Sequence, residues 1–469
     1  MLISIEHELP TSARNGDTGV SPAVFQDVWG ELSREGWNRN GDFAVSRLPI
    51  HFHPGAKKPE QVITTDAGPS IELVPSPEET VQGIERQTTE LRALAGAKFR
   101  VRGVDLLGSG VHLRLGSDMQ EYLQYRTPRK AYDYAIEKRG WNHNTMLNIT
   151  SLQEIIDVPV AKAPSAVGLL HQLAGAMLFL FRNDAEYREQ DKHRLLTIRP
   201  RAWRDQVPNA GPFKDDIQKV CLPSREVNSW REYLHLLWES SSMFILGTKS
   251  GELTYVPAHP TFATFMTSAP KKGWMARTIG GKLITRINPS MEHVKQTDWT
   301  YMGFARLRLF WEEGVKLNEL VTAYREGGEY LEGFLAEGLS KVLVENRSNA
   351  CPRPGEEMSS LAFVTGIIEN LGNAIRFANT FPYSFWLKVA RTAETLPIYS
   401  RLEGVQVLDL LAKLLKISQE GLVRRGYGEG QYLEPLFRRV RDGRSPSEEM
   451  LAIFDKGGIE AVSESLLYR

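Results

Sequence analysis

Four hydrophobic stretches of this chain carry polar side chains two residues apart, the spacing that turns them to one face of a β-strand. From Leu2 to Glu8, Ile3, Ile5 and His7 alternate with Ser4, Glu6 and Glu8. Gln61–Thr65 and Ser70–Val74 read as two short strands about an Asp66-Ala67-Gly68-Pro69 turn, with Glu72 between Ile71 and Leu73. Met146–Val158 reads as a strand with Gln153, Ile155 and Asp157 on one side. If Arg306–Glu312 is extended, Arg306, Arg308, Phe310 and Glu312 share a face. Each carboxylate alone also fits a solvated strand face. Together they point to a sheet with one face lined by oxygen ligands, the setting a Mg²⁺ ion takes.

Composition narrows the class. The 469 residues hold 57 Lys plus Arg against 57 Asp plus Glu, so there is no excess of positive charge for nucleic acid to meet. No uncharged apolar run reaches the roughly 18 residues that a membrane span needs, the longest candidate being Ala174–Phe181. The carboxylates at positions 6 and 8 argue against a secretory leader. Two cysteines, Cys221 and Cys351, suit a reduced compartment, and the expected location is the cytoplasm. Walker-type and G-x-S-x-G motifs are both missing, and His51 and His53 have no third metal ligand beside them.

Helical signals fill the rest. Ser21-Pro22 and Ser76-Pro77-Glu78-Glu79 both look like capped helix starts, the second with the capping-box spacing. Leu169–Phe181 is apolar nearly all round and reads as a core helix. Beyond Leu317 the chain reads as mostly helical, most clearly over Gly404–Gly426, and a second capping box, Ser445-Pro446-Ser447-Glu448, opens the end. The expected fold is α+β, a mostly antiparallel sheet lined with carboxylates, helices packed outside and a helical C-terminal third. A catalytic core over residues 1–316 and a helical region over 317–469, integral to the same fold, are the expected parts.

In order along the chain, these motifs resemble the glutamate–cysteine ligases of the plant and proteobacterial type, within the carboxylate–amine ligase group related to glutamine synthetase. Ile5-Glu6-His7-Glu8 is similar to that family's opening strand, and residues 63–73 to its acidic turn and strand. Ser151–Asp157 resembles its Gln-containing strand, Arg199-x-x-x-Trp203 its Arg/Trp segment, and residues 421–427 and 445–451 its C-terminal pattern. Three positions depart from it. The turn reads Asp66-Ala67-Gly68-Pro69-Ser70 in place of acidic-Pro-Gly-Gly-Gln, Ile155 stands where an Asn is expected, and Gly314 replaces the family's Arg.

The resemblance implies a glutamine synthetase-like catalytic fold and ATP-dependent γ-glutamyl ligation. Mg²⁺ would be held by Glu6, Glu8, Asp66, Glu72, Gln153 and Glu312. Arg199 would contact the transferring phosphate, because a guanidinium forks onto paired oxygens, with Arg308 and Gln153 also at the nucleotide. The substrates implied are glutamate, ATP and an amine, cysteine first. Another amine acceptor, or a non-catalytic relative that only binds, remains open. If the charge missing at Gly314 is replaced, Arg308, Lys316 or the loop Arg199–Arg204 supplies it.

Overall fold

The structure is a computed structural model; it describes every residue except 15, 17–18, 41–42, 48–59, 67, 117–118, 144–147, 189–192, 244 and 248–251. His51, His53 and Ala67 of the hairpin turn therefore lie outside the described residues.

A nine-stranded sheet organises what is described. Its strands are β1 (Ile3–Ala13), β2 (Asn38–Asn40), β3 (Ala44–Arg47), β4 (Gln61–Thr65), β5 (Ser70–Val74), β6 (Val104–Leu106), β7 (Leu152–Val158), β8 (Ala305–Trp311) and β9 (Leu339–Asn346). They lie in the order β8-β9-β7-β1-β5-β4-β3-β2, with β6 on the far end of β1, and every pairing is antiparallel. The mixed helix-and-sheet fold with an antiparallel sheet is the expected one. β9 comes from beyond residue 316, yet it sits between β8 and β7.

Register decides which face each side chain takes, since cross-strand partners point the same way. Ile3, Ile156, Val344 and Leu307 are consecutive partners across four strands and join the hydrophobic core. On the other face Glu8 is opposite Glu72, Glu6 opposite Gln153, and Glu345 lies between Ile155 and Arg306. One face is oily and the other charged.

The helices used below are α1 (Pro22–Arg34), α2 (Val81–Arg100), α3 (Lys130–Arg139), α4 (Ala163–Phe181), α5 (Arg199–Asp205), α6 (Glu357–Glu369), α7 (Tyr383–Thr392), α8 (Val407–Arg425) and α9 (Pro446–Ser465). Ser21 caps α1 and Ser445 closes a capping box on α9, both as the sequence reads. The Ser76 signal misleads. Ile3 and Glu78 exchange backbone hydrogen bonds of 2.8 and 2.9 Å, which holds that stretch extended beside β1, and α2 starts at Val81 with Thr80 as its cap. β6, which follows α2, is only three residues long.

α4 packs against β8 and β9 on the apolar face, and α7 packs on α4. Within the span Val160–Phe181, longer than the run Ala174–Phe181, an 18-residue window has mean hydropathy 1.5, apolar enough to cross a membrane. Of that window 94% is buried inside this protein, which is how a core helix satisfies the same composition.

α6 and α8 cross at two glycines. A Cβ on Gly421 would stand 2.0 Å from the Gly366 carbonyl oxygen, which is backbone and has no room to yield. Gly421→Ala is therefore expected to destabilise the fold by about 1–3 kcal/mol, the usual cost of overpacking. Urea unfolding checks this; an unchanged midpoint would mean the helices do not approach this closely.

Candidate active site

A cavity of about 810 Å³ opens on the charged face of the sheet. Glu6, Glu8, Asp66, Glu72, Gln153, Arg199 and Arg308, seven of the residues singled out from the sequence, line it. Arg306 and Arg347 complete the floor, while Tyr132 and Tyr134 from α3, Trp203 from α5, and Trp141, Ile149 and Met302 form walls.

The basic end is built around Glu345, which has no exposed surface. Its Oε2 accepts from Arg306 Nε at 2.9 Å and from Arg308 Nε, and its Oε1 accepts from Arg347 Nη1 at 2.6 Å. Burial works to raise this carboxyl's pKa, but the three guanidiniums outweigh it and hold the group well below the usual carboxylate range. Arg308 also donates to Glu6, and Arg347 Nη1 donates to Gln153 Oε1 at 2.6 Å.

Arg199 completes this end by a different route. Asp184 is buried at the start of α5, where its Oδ2 accepts from Ile198 N at 3.0 Å, Arg199 N at 2.9 Å and the Thr197 hydroxyl at 2.7 Å. That fixes the helix start and so the direction of Arg199, whose Nε donates to the Arg347 carbonyl at 2.9 Å. One turn later Trp203 faces both guanidiniums, at 6.0 Å from Arg199 and 5.9 Å from Arg347.

The acidic end is Glu8, Glu72 and Asp66. Glu8 Oε2 accepts from Ser151 N and its Oε1 from Gln153 Nε2, both at 2.7 Å. Burial, then the charge of Asp66, pushes Glu8 up to about 8. Burial, then Glu6, Asp66 and Glu8, raises Glu72 well above the ordinary range. At the hairpin tip the Tyr132 hydroxyl donates to Asp66 at 3.5 Å, and Arg129 donates to the Thr65 carbonyl.

Among the described residues, no three His, Cys, Asp or Glu side chains stand close enough together to hold a metal ion. Glu6 is engaged by Arg308, and both oxygens of Glu8 already accept hydrogen bonds. The six-ligand Mg²⁺ cluster expected from the motifs is not assembled as such. The donor set is still chemically suited to Mg²⁺, which takes oxygen ligands and commonly uses one or two carboxylates plus substrate phosphates rather than an all-protein cage.

Glu312 is the residue the structure does not bring in. The register shifts between Phe310 and Trp311, β8 ends at Trp311, and Glu312 is exposed and off the cavity wall. The alternation that placed it beside Arg308 fails at that bulge. Gly314 lies in the following turn with φ +92°, the left-handed region that glycine takes without strain. Lys316 is exposed and pairs with Glu319 at 3.3 Å, so of the three proposed sources of charge Arg308 and Arg199 reach the cavity and Lys316 does not. Glu345 and Arg347 were missed because the chain after Leu317 reads as helical. The run Val342-Leu343-Val344-Glu345, rich in β-branched residues, was the signal available.

Crowded carboxylates have a measurable consequence. A carboxyl whose folded pKa exceeds its unfolded value binds more protons folded than unfolded, so its charge costs stability progressively as pH rises through the interval between them. For Glu8 that interval runs from 4.5 to about 8. Glu72→Gln removes one member of the cluster and its charge, so the variant should gain stability relative to wild type as pH rises across this window. Urea unfolding in EDTA at a series of pH values gives the difference; a constant difference would mean the carboxylates do not repel.

The sequence matches no protein-family model and no curated protein. In structure, 99% of the chain aligns with 87% of the glutamate–cysteine ligase from Francisella tularensis solved in complex with AMP, at 11% identity and a TM-score of 0.51. A bifunctional glutathione synthetase from Pasteurella multocida aligns with 99% of this chain and 52% of its own, at 12% identity and a TM-score of 0.41. The ligase PafA, in its complex with the ubiquitin-like protein Pup, aligns with 99% of this chain and 72% of its own, at 8% identity and a TM-score of 0.43. The chain thus has the fold of a glutamate–cysteine ligase, the family whose motifs its sequence resembles.

Proposed function

We propose that this protein is an ATP- and Mg²⁺-dependent carboxylate–amine ligase of glutamine synthetase-like fold, joining the side-chain carboxylate of glutamate to an amine. One observation carries the reading. A single antiparallel floor presents guanidiniums at one end of a cavity and carboxylates at the other, on a fold shared with a glutamate–cysteine ligase.

The chemistry asks for those two ends. A γ-carboxylate oxygen attacks the γ-phosphorus of ATP, ADP leaves, and the amine nitrogen then displaces phosphate from the acyl carbon. Charge accumulates on phosphoryl oxygens, and cations already fixed in place stabilise it. Arg199 is buried and its terminal nitrogens make no hydrogen bond among the described residues, which suits it to the transferring phosphoryl group. Arg347 stands beside it, and Arg308 lines the same cavity. Glu8, Glu72 and Asp66 would hold Mg²⁺ together with the ATP phosphates, where the cation would neutralise phosphate charge. Gln153 joins the two ends, donating to Glu8 and accepting from Arg347.

Cysteine is the first acceptor to test, on the strength of the resemblance; other amines follow. Purified protein is expected to release ADP when ATP, Mg²⁺, glutamate and the right amine are all present, with the amide identified by mass. ATP cleavage without amide across the whole amine panel counts against ligation, and failure to bind ATP favours a non-catalytic relative. Arg199→Met should lower turnover by about ten- to a hundredfold, the loss of a charge-assisted hydrogen bond. Glu312→Gln and Lys316→Ala lie off the cavity and should keep wild-type rates. Equal rates for all three variants would remove Arg199 from the reaction.

A further inference from the structure

A second cavity, of about 500 Å³, lies beneath α9 and shares no described lining residue with the one on the sheet. Val111, Leu113 and Leu115, from the chain after β6, line one part of it. α9 lines another part on both sides of a break: Met450, Leu451 and Phe454 come before it, Ile459 and Val462 after. At Gly458 φ is +66°, the left-handed region, so the helix is interrupted there and resumes at an angle. Each half is tied down by an ion pair of 2.7 Å, Arg194 to Asp455 and Arg114 to Glu460. Val111, Leu115, Ala185, Ile198, Met450 and Val462 are no more than 9% exposed, so the cavity is interior. A close-packed interior does not leave such a volume by default.

His112, Asn148 and Glu186 are the only polar side chains among the described lining residues. Asn148 Nδ2 donates to the Leu115 and Gly116 carbonyls at 3.3 and 2.9 Å, and His112 Nε2 donates to the Thr11 carbonyl at 2.7 Å. Burial lowers His112 to about 4, so its ring is neutral and Nδ1 is an acceptor. No cation stands among these residues, Glu186 repels an anion, and burying any charge without a partner is costly. The walls suit an uncharged, mostly hydrocarbon molecule. They also touch the support of Arg199. Ala185 follows Asp184 and Ile198 precedes Arg199, and both line the cavity. Asp184 joins those segments through its bonds to Ile198 N and Arg199 N, and its own N–H donates to Ser447 Oγ of α9 at 3.1 Å.

We propose that the cavity beneath α9 is a second ligand site, for an uncharged, mostly hydrocarbon molecule, and that its occupant shifts α5 and with it Arg199. Contacts on Ala185 and Ile198 bear on the two segments that Asp184 joins. The occupant moves α5 to the extent that it binds one placement of Ile198 better than another. Binding here needs no ATP, no glutamate and no amine, so it stands or falls apart from the ligase reading.

The probes are 1-adamantanol, 1-adamantanecarboxylate and 1-adamantylamine, one hydrocarbon cage with a neutral, an anionic and a cationic head, titrated into the full chain by calorimetry. The alcohol should saturate a single site, about tenfold tighter or more than either charged probe. It does not fluoresce, so the emission of Trp203 on α5 reads the link to Arg199. That emission should change on saturation, and Trp203→Phe should remove the change but keep the binding. Leu113→Phe and Leu451→Phe, at half-buried positions on the wall, are made singly and should each weaken binding about tenfold or more. Amide exchange of the wild-type chain places the site whether or not those variants fold: the alcohol should protect α9 and residues 111–115. Absence of saturation, or equal affinity for a charged probe, overturns the site's chemistry. Protection elsewhere, or wild-type affinity in a folded filled variant, overturns its place. Unchanged Trp203 emission at saturation overturns the link to α5.

Discussion

A single negative charge, Glu345, sits out of reach of water with three guanidiniums upon it, and the charged face of the sheet depends on that arrangement. An isolated buried carboxylate would be too costly to keep ionised, and three half-buried arginines crowded together without it would repel one another. Removing one partner of such a group typically costs about 3–5 kcal/mol, because the others lose their compensation. From Glu345 the hydrogen bonds run through Arg308 to Glu6, and through Arg347 and Gln153 to Glu8. Glu6 and Glu8 are two residues apart on β1, so the path closes on itself across β8, β9, β7 and β1. Each side chain on it is oriented by its neighbours, which is what a preorganised polar site requires.

The same geometry explains what the sequence made legible. Strand parity placed Glu6, Glu8, Glu72 and Gln153 because their strands have regular register there and one apolar face. Parity placed Arg308 for the same reason and misplaced Glu312, since a bulge at Phe310/Trp311 resets the count. Arg199 was found as part of an Arg/Trp segment, but its buried anchor, Asp184, has no sequence signature and is recognisable only once α5 is in place. Glu345 lies in β9 and Arg347 just after it, on a strand set among helices, where local pattern competes with the helical trend around it. The Ser76 capping box failed because backbone pairing with β1 took the residues that the cap would have used.

The cavity's electrostatics follow from the floor's asymmetry. At the Glu345 end every negative charge is matched by a guanidinium, and the carboxyl is driven to stay ionised. At the Glu72 end carboxylates face one another, and each makes its neighbour harder to ionise. Gln153, neutral and with both ends of its amide used, separates the two regimes. A molecule carrying an anion at one end and drawing a cation at the other has its orientation in this cavity decided by charge alone.

The strand order carries a consequence for how this chain is made. β7 is complete once residue 158 has been synthesised and β8 once residue 311 has, but the strand that joins them, β9, ends at residue 346. Until β9 emerges, β7 keeps an open edge and β8 has no neighbour in the sheet, the exposed condition that invites pairing with other chains. Glu345 and Arg347 arrive in that same last strand and the residue after it, so the arginines of β8 wait unpaired for their carboxylate. On a ribosome, the floor of the cavity is the last part of the sheet to become itself.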